Sequence, residues 1–195
     1  MTQPAKIAIR PARIEDSREI ARLFLISSDG LAEYIWHKSI EPGESVLDAG
    51  ARRYARQNTA FSYENCLIAE IDGQAIGMAH SFPMFEDPEA EPVSDPVLAP
   101  YADLEDHGSL YLSGVAVAED FRNLGVGGAL MDAVNRHAKD LGLPRISLIC
   151  FEKNEGAMRL YRRLGFEERS RRAVVPHPSL HYDEGEAVLL VRSTW

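Results

Sequence analysis

Residues 115–130 read Val-Ala-Val-Ala-Glu-Asp-Phe-Arg-Asn-Leu-Gly-Val-Gly-Gly-Ala-Leu. An apolar strand enters a glycine-rich turn, and the turn opens an amphipathic helix. A junction of this kind points several backbone N–H groups at one spot, where the helix dipole also favours negative charge. It is suited to a phosphate or pyrophosphate, and it makes the chain an α/β protein whose strand and helix meet at an anion site.

The flanking segments extend this pattern. Leu110–Val117 reads as a buried strand. Val126, Leu130, Val134, Ala138 and Leu141 recur at helical spacing, so a helix runs from about Gly125 to Leu141 and ends at Gly142 and Pro144. Arg145–Cys150 is the next strand, parallel to 110–117 by the crossover rule. Asn154 caps a helix through Leu164, and Gly165 stops it. Phe166–Val175 and Ala187–Arg192 read as closing strands. In the first half, Ile7–Pro11 reads as a strand. Asp16-Ser-Arg-Glu19 has capping-box spacing before a helix over 17–26, and 43–56 reads as a second helix with Val46, Leu47 and Tyr54 inward. Cys66–Ile71 and Gln74–Ala79 flank Asp72-Gly73, a type I′ hairpin signal.

Residues 83–108 break the periodicity with five prolines and a crowd of carboxylates. They read as an acidic, proline-rich insertion that could cover a site, with no regular structure before about Val97 and room for a short helix over 98–105. No linker separates two domains, so residues 1–195 read as one.

Charge is distributed unevenly. The formal net charge of −9 argues against a general nucleic-acid binder. From Gln57 through Phe121 there is no Lys or Arg but 13 Asp and Glu, whereas Arg122 through Arg172 holds 11 basic against 6 acidic residues. A basic second half suits a polyanionic cofactor, and an acidic middle suits an amine-bearing partner; two solvated faces would give the same blocks. No run approaches the ~20 apolar residues of a membrane span, and the first six residues hold no apolar signal core. Cys66 and Cys150 lie in apolar runs, as buried free thiols do. The chain reads as cytoplasmic. His177 and His181 stand four apart, but Pro178 breaks the helix that a metal pair would need, so no metal is expected.

Glycine spacing alone is weak. No Lys-Ser or Lys-Thr follows, which excludes the nucleoside-triphosphatase loop, and the turn lies too late for a dinucleotide fold. Residues 154–166 decide the matter: Asn-Glu-Gly-Ala-Met-Arg-Leu-Tyr-Arg-Arg-Leu-Gly-Phe. Together with Arg122-Asn-Leu-Gly-Val-Gly127, this resembles the GCN5-related N-acetyltransferase (GNAT) superfamily. Its acetyl-coenzyme A motif has the form Gln/Arg-x-x-Gly-x-Gly/Ala, followed by Asn-x-x-Ala-x-x-Leu-Tyr-x-x-x-Gly-Phe. The resemblance is close over about 110–167 and looser before it; 30–56 and 83–108 depart from any general pattern.

The resemblance implies a mixed central sheet of about six to seven strands, with helices on both faces and a V-shaped splay between the strands near 110–117 and 145–150. It implies acetyl-coenzyme A as cosubstrate, its pantetheine arm paired with the backbone of Val115 and Val117. The pyrophosphate would sit on the N–H groups of Asn123, Leu124, Gly125, Val126, Gly127 and Gly128, after Arg122. Asn154 would hydrogen-bond the pantetheine arm, and Tyr161 would protonate the departing thiolate. Tyr161 has a second reading: as C3 of its helix it would pack on Phe166 in a Schellman motif. The reaction implied is direct attack of an amine in a ternary complex, with an N–H near Val115 stabilising the oxyanion. Family members often place a Glu base on the strand before the glycine turn; here that strand carries Tyr111 and Ser113. Glu70, His80, Glu105 and His107 are the candidates left, none with a motif behind it. A non-catalytic acyl-coenzyme A sensor on the same fold is the alternative, and transfer of a longer acyl chain such as succinyl is a third. The acceptor would be an amine-bearing small molecule or peptide, with neither nucleic acid nor membrane as partner. Pairing of the last strand between copies would give a homodimer.

Overall fold

The computed structural model describes residues 7–89 and 91–194. The amino-terminal six residues, in which no signal core is read, lie outside them, as do Ala90 of the expected insertion and Trp195. The elements in chain order are β1 (Ala8–Pro11), α1 (Ser17–Ser27), α2 (Leu31–His37), α3 (Val46–Tyr54), β2 (Cys66–Ile71), β3 (Gln74–Met84), α4 (Ala99–Ala102), β4 (Ser109–Val117), α5 (Val126–Asp140), β5 (Arg145–Phe151), α6 (Glu155–Arg163), β6 (Glu167–Ala173) and β7 (Glu186–Ser193). Seven strands hydrogen-bond in the order β1-β2-β3-β4-β5-β7-β6 in one mixed sheet, so the fold is α/β. By internal contacts the chain divides into two compact units, Met1–Ser81 with Gly114–Arg136 and Phe82–Ser113 with His137–Trp195.

The first unit is built on the hairpin that Asp72-Gly73 dictates. Both residues have positive φ, 51° and 80°, the geometry of a type I′ turn. It sets β2 against β3 in antiparallel register from Ile71↔Gln74 to Cys66↔His80. One face carries Ile68 and Met78 into a core with Ile20, Leu23 and Phe24 of α1, Trp36 of α2 and Tyr54 of α3. On the other face Gly77 lets α5 approach: a Cβ there would lie 2.9 Å from the Ala116 carbonyl and 3.2 Å from Val126.

Two expectations in this unit are corrected. The Asp16–Glu19 box does not form. The Asp16 carboxylate instead accepts from the Arg13 backbone N–H at 2.7 Å and is gripped by Arg10, while Glu19 pairs with Arg22. The helix expected over 43–56 is shorter, because Ser45 caps it by accepting from the Asp48 N–H. Val46 and Leu47 pack half-buried against the core and Tyr54 is fully buried, so all three face inward as expected. Helix α2 has no counterpart in the sequence reading.

In the second unit β5 is the spine. It pairs with β7 along its whole length, and β7 pairs in turn with β6. The closing strand Ala187–Arg192 is therefore bonded on both sides within its own chain, which leaves it no free edge to offer a second copy. Strand β6 forms the sheet margin and reads Glu-Glu-Arg-Ser-Arg-Arg-Ala, exposed at all positions but Ser170. β4 and β5 are parallel as expected, but among the described residues their ladder holds two pairs, Leu110↔Ile146 and Tyr111↔Ser147. It stops there although Leu112 and Leu148 follow in the same unit. The insertion is more ordered at its start than expected, since β3 continues through Pro83 to Met84, and the short helix read over 98–105 forms as α4 over Ala99–Ala102.

Candidate functional site

The glycine turn belongs to the first unit. β4 ends where Ala118 donates to the Ile76 carbonyl at 2.8 Å, and a single 3-10 turn follows over Glu119–Phe121. Arg122 then leaves in extended conformation, its Nε 3.4 Å from the Val117 carbonyl. Asn123 and Gly125 both take positive φ, 64° and 84°, and turn the chain into α5. Ala129 donates to the Gly125 carbonyl at 3.0 Å, so the N–H groups of Val126, Gly127 and Gly128 precede the first turn of intrahelical bonding. A Cβ built on Gly125 or Gly128 meets nothing within 4 Å, and one on Gly127 meets only the Val117 side chain at 3.9 Å. The missing side chains therefore leave open space beside these amides. Val115 and Val117 are half-buried on β4, alternating with buried Gly114 and Ala116.

The second motif belongs to the second unit. The Asn154 side chain accepts from the Ala157 N–H at 3.1 Å and caps α6. At the other end Phe166 donates to the Tyr161 carbonyl and Gly165, at φ 83°, donates to that of Arg162, both at 3.0 Å. This is the complete Schellman pair. The Tyr161 and Phe166 rings meet edge-on at 5.6 Å, so the packing reading of Tyr161 holds in the structure. A cavity of about 380 Å³ lies beside Met158 and Arg162 of α6, but its rim charges pair with one another, Arg159 with Glu155 and Arg171 with Glu152.

The four base candidates separate clearly. The Arg10 guanidinium holds Glu70 at 2.7 Å. His80 is fully buried: its Nε2 donates to the Ala60 carbonyl at 2.9 Å, and its Nδ1 accepts from the Tyr54 hydroxyl at 3.2 Å. Rings of Phe24, Tyr54 and Phe61 surround it. Burial, aided by nearby Arg53, pushes its pKa down to about 4, against a bond to Ala60 that raises it. His80 is thus a neutral core residue. Glu105 and His107 are exposed and bonded to each other, His107 Nε2 to Glu105 Oε2 at 3.1 Å. Tyr111, on β4, packs edge-on against Phe82 at 5.5 Å, and burial and then the Glu105 charge raise its pKa.

The state of His80 has a measurable effect. Its folded pKa lies below the ordinary value of about 6.5, so the unfolded chain takes up this proton first. The native state is fully favoured above that value and loses ground as pH falls toward 4, by up to about 3 kcal/mol in all. Urea unfolding at a series of pH values should show this decline in the wild type. It should be flattened in His80→Gln; an identical slope in both would refute the assignment.

His177 Nδ1 accepts from the Ser179 N–H in a turn. Among the described residues no group of three or more His, Cys, Asp or Glu could hold a metal ion, and no helix is long and apolar enough to cross a membrane. Cys66 and Cys150 are free and buried, and burial pushes the Cys66 thiol up.

The chain matches the model of the acetyltransferase (GNAT) family over residues 32–166. Among curated proteins none matches it. The fold is similar to that of a solved acetyltransferase at 22% identity and a TM-score of 0.65, covering 96% of this chain and 100% of that one. A variant of agmatine N-acetyltransferase in its apo form gives 17% and 0.66, with 96% and 99% covered. An N-acetyltransferase from Staphylococcus aureus Mu50 gives 19% and 0.63, with 95% and 100% covered. At such identities the likeness is one of fold.

Proposed function

Because the chain belongs to the GNAT family of acetyltransferases, we propose that it moves an acetyl group from acetyl-coenzyme A to an amine by direct attack in a ternary complex. The observation that carries this is the open space beside the amides of Gly125, Gly127 and Gly128, where a side chain would otherwise stand. That cradle fits a pyrophosphate. In the first unit the N–H groups of Asn123 through Gly128 hold the diphosphate behind Arg122, and the backbone of Val115 and Val117 receives the pantetheine arm. In the second unit Asn154 adds a hydrogen bond to that arm without giving up its cap. Bound acetyl-coenzyme A supplies an activated thioester. The Val115 N–H steadies the oxyanion, and Tyr161 gives its phenolic proton to the leaving thiolate.

The acceptor is a cationic amine, small molecule or peptide. The acidic stretch before Phe121 supports this choice, as does the fold likeness to an enzyme named for agmatine. Free Cys66 and Cys150 suit the reducing cytoplasm. A second reading, a non-catalytic acyl-coenzyme A sensor, is favoured by one observation: β4 carries no carboxylate. Coenzyme A release measured across a panel of diamines, guanidino amines and peptides separates them. Turnover on a cationic amine supports the transferase; tight cofactor binding with no turnover on any amine supports the sensor.

Tyr161→Phe keeps the ring contact with Phe166 and removes only the hydroxyl. It should lower kcat roughly 100-fold, the scale of a lost general acid, and leave the acetyl-coenzyme A affinity within about threefold. Full activity in this variant would leave Tyr161 with packing alone.

A further inference from the structure

Arg53 stands in the last turn of α3, and its guanidinium is an unmatched charge in the first unit. Arg10, Arg18, Arg22 and Arg52 of the same unit each hold a carboxylate: Asp16, Asp48, Glu19 and Glu44. Arg53 holds none among the described residues, although it is half-buried. Its Nε is shut off from solvent without a hydrogen-bond partner, and its Nη groups are bonded to no described residue. What supports it is the Phe61 ring, whose centroid lies 4.5 Å from Cζ. Burial, and then the nearby charge of Arg56, lowers its pKa, against a smaller rise from Tyr54. No carboxylate offsets the desolvation of this cation.

The loop after α3 leaves the charge unmatched. The carboxylate within residues 55–65, Glu64, accepts instead from the Asn58 N–H at 2.7 Å. Arg56 lies back on the chain, its Nε donating to the Arg53 carbonyl at 2.9 Å, and adds a second positive charge with no carboxylate on it among the described residues. Phe61 is held firmly. His80 Nε2 and the Asn65 side chain donate to the preceding Ala60 carbonyl, both at 2.9 Å, and the Phe61 ring meets those of His80 at 5.0 Å and Phe24 at 6.3 Å edge-on. A methionine at position 53 would cover the same ring without placing a charge there. Packing alone therefore does not account for the guanidinium, whose position against a fixed ring is set before any ligand arrives.

We propose that Arg53 anchors a carboxylate-binding site in the first unit, for ligands whose carboxylate is attached to an apolar body. The Nη N–H groups donate to the carboxylate oxygens in the planar match that a guanidinium gives, and Arg56 adds attraction at longer range. The apolar body lies against half-buried Phe61 and exposed Ala60. A phosphate dianion fits less well, because a half-buried setting with an aromatic wall penalises the second charge. A free carboxylic acid and the carboxy-terminus of a peptide share this chemistry. The site is independent of the acetyl-transfer reading.

The test follows backbone amide shifts of the full chain by NMR. The probes are 3-phenylpropionate, inorganic phosphate, and N-acetylalanylphenylalanine as the acid and as the amide. 3-Phenylpropionate should move the Ala60 and Phe61 amides saturably. A response to the dipeptide acid and not to its amide extends the site to chain termini; a response to 3-phenylpropionate alone makes it a site for small acids. Arg53→Met should weaken binding at least about tenfold and hold the urea midpoint at or above that of the wild type, because the unmatched charge is gone. Arg53→Lys keeps the charge, loses the planar fork and should also lose binding. Arg136→Met, at an exposed arginine on α5, should not. Absence of saturable shifts with either carboxylate, an equal response to the amide, or binding retained in Arg53→Met overturns the site. Phosphate bound more tightly than carboxylate overturns its ligand class.

Discussion

Gly127→Val should bind acetyl-coenzyme A at least about 100-fold more weakly than the wild type and still fold. A Cβ at position 127 meets only the Val117 side chain, at an ordinary contact distance of 3.9 Å, so the protein itself does not resist it. Backbone strain is absent as well, because Gly127 lies inside α5 and is not among the glycines with positive φ. Helix propensity favours valine over glycine by a few tenths of a kcal/mol. What the isopropyl group fills is the space through which a diphosphate would reach the N–H groups. Hydrogen bonds to a charged acceptor contribute about 1.5–3 kcal/mol each. Losing two of them corresponds to roughly 10²–10⁴ in Kd. Calorimetry with acetyl-coenzyme A, beside circular dichroism and a urea melt, reads both halves of the expectation. Unchanged affinity in a folded variant would remove the diphosphate from this turn. Gly128→Ala is a gentler version: its added methyl meets no protein atom within 4 Å, so any loss of affinity there is owed to the ligand.

Gly50→Ala should destabilise the first unit, against the usual rule for a glycine inside a helix. Elsewhere in α3 the change would add up to about 1 kcal/mol of stability through propensity. At position 50 the new methyl would lie 2.3 Å from Cζ3 and 2.5 Å from Cε3 of Trp36. That ring is 1% exposed, stacked on Phe24 at 6.0 Å and edge-on to Tyr54 at 6.3 Å, so it has nowhere to retreat. Overpacking of this kind costs about 1–3 kcal/mol and sometimes more. The steric term wins, with a net loss of about 2 kcal/mol expected in urea unfolding. The double variant with Trp36→Phe should lose less than the sum of the two single changes, because the smaller ring vacates the volume the methyl needs. A Gly50→Ala protein as stable as the wild type would mean that the Trp36 contact is soft.

These cases show what was legible in the chain and what was not. The turn at Asp72-Gly73, helix α5 with its Gly142 stop, and helix α6 between Asn154 and Gly165 were readable because short-range rules specify them: turn chemistry, caps and a 3.6-residue repeat. Helix α2 was not. Its buried residues are Ala32, Tyr34 and Trp36, two apart, and that spacing imitates a strand. Trp36 points inward because Gly50, far along the chain, leaves room for its ring. Asp16 misled for a similar reason. Its spacing to Glu19 was right for a box, but Arg10 and the Arg13 N–H offered the carboxylate better partners. The glycine turn and the Asn154 cap were visible as glycines and an asparagine at fixed intervals. Glu105 and His107 were visible only as two unconnected candidates, and their 3.1 Å bond arises on a loop that Arg145 anchors through Asp106.

Strand β6 places five charged side chains in seven positions along the last rung of the sheet. A stranger's backbone seeking to add itself there would first have to strip the hydration from a row of guanidinium and carboxylate groups. Strand addition at that margin therefore carries a desolvation cost that an apolar edge would lack.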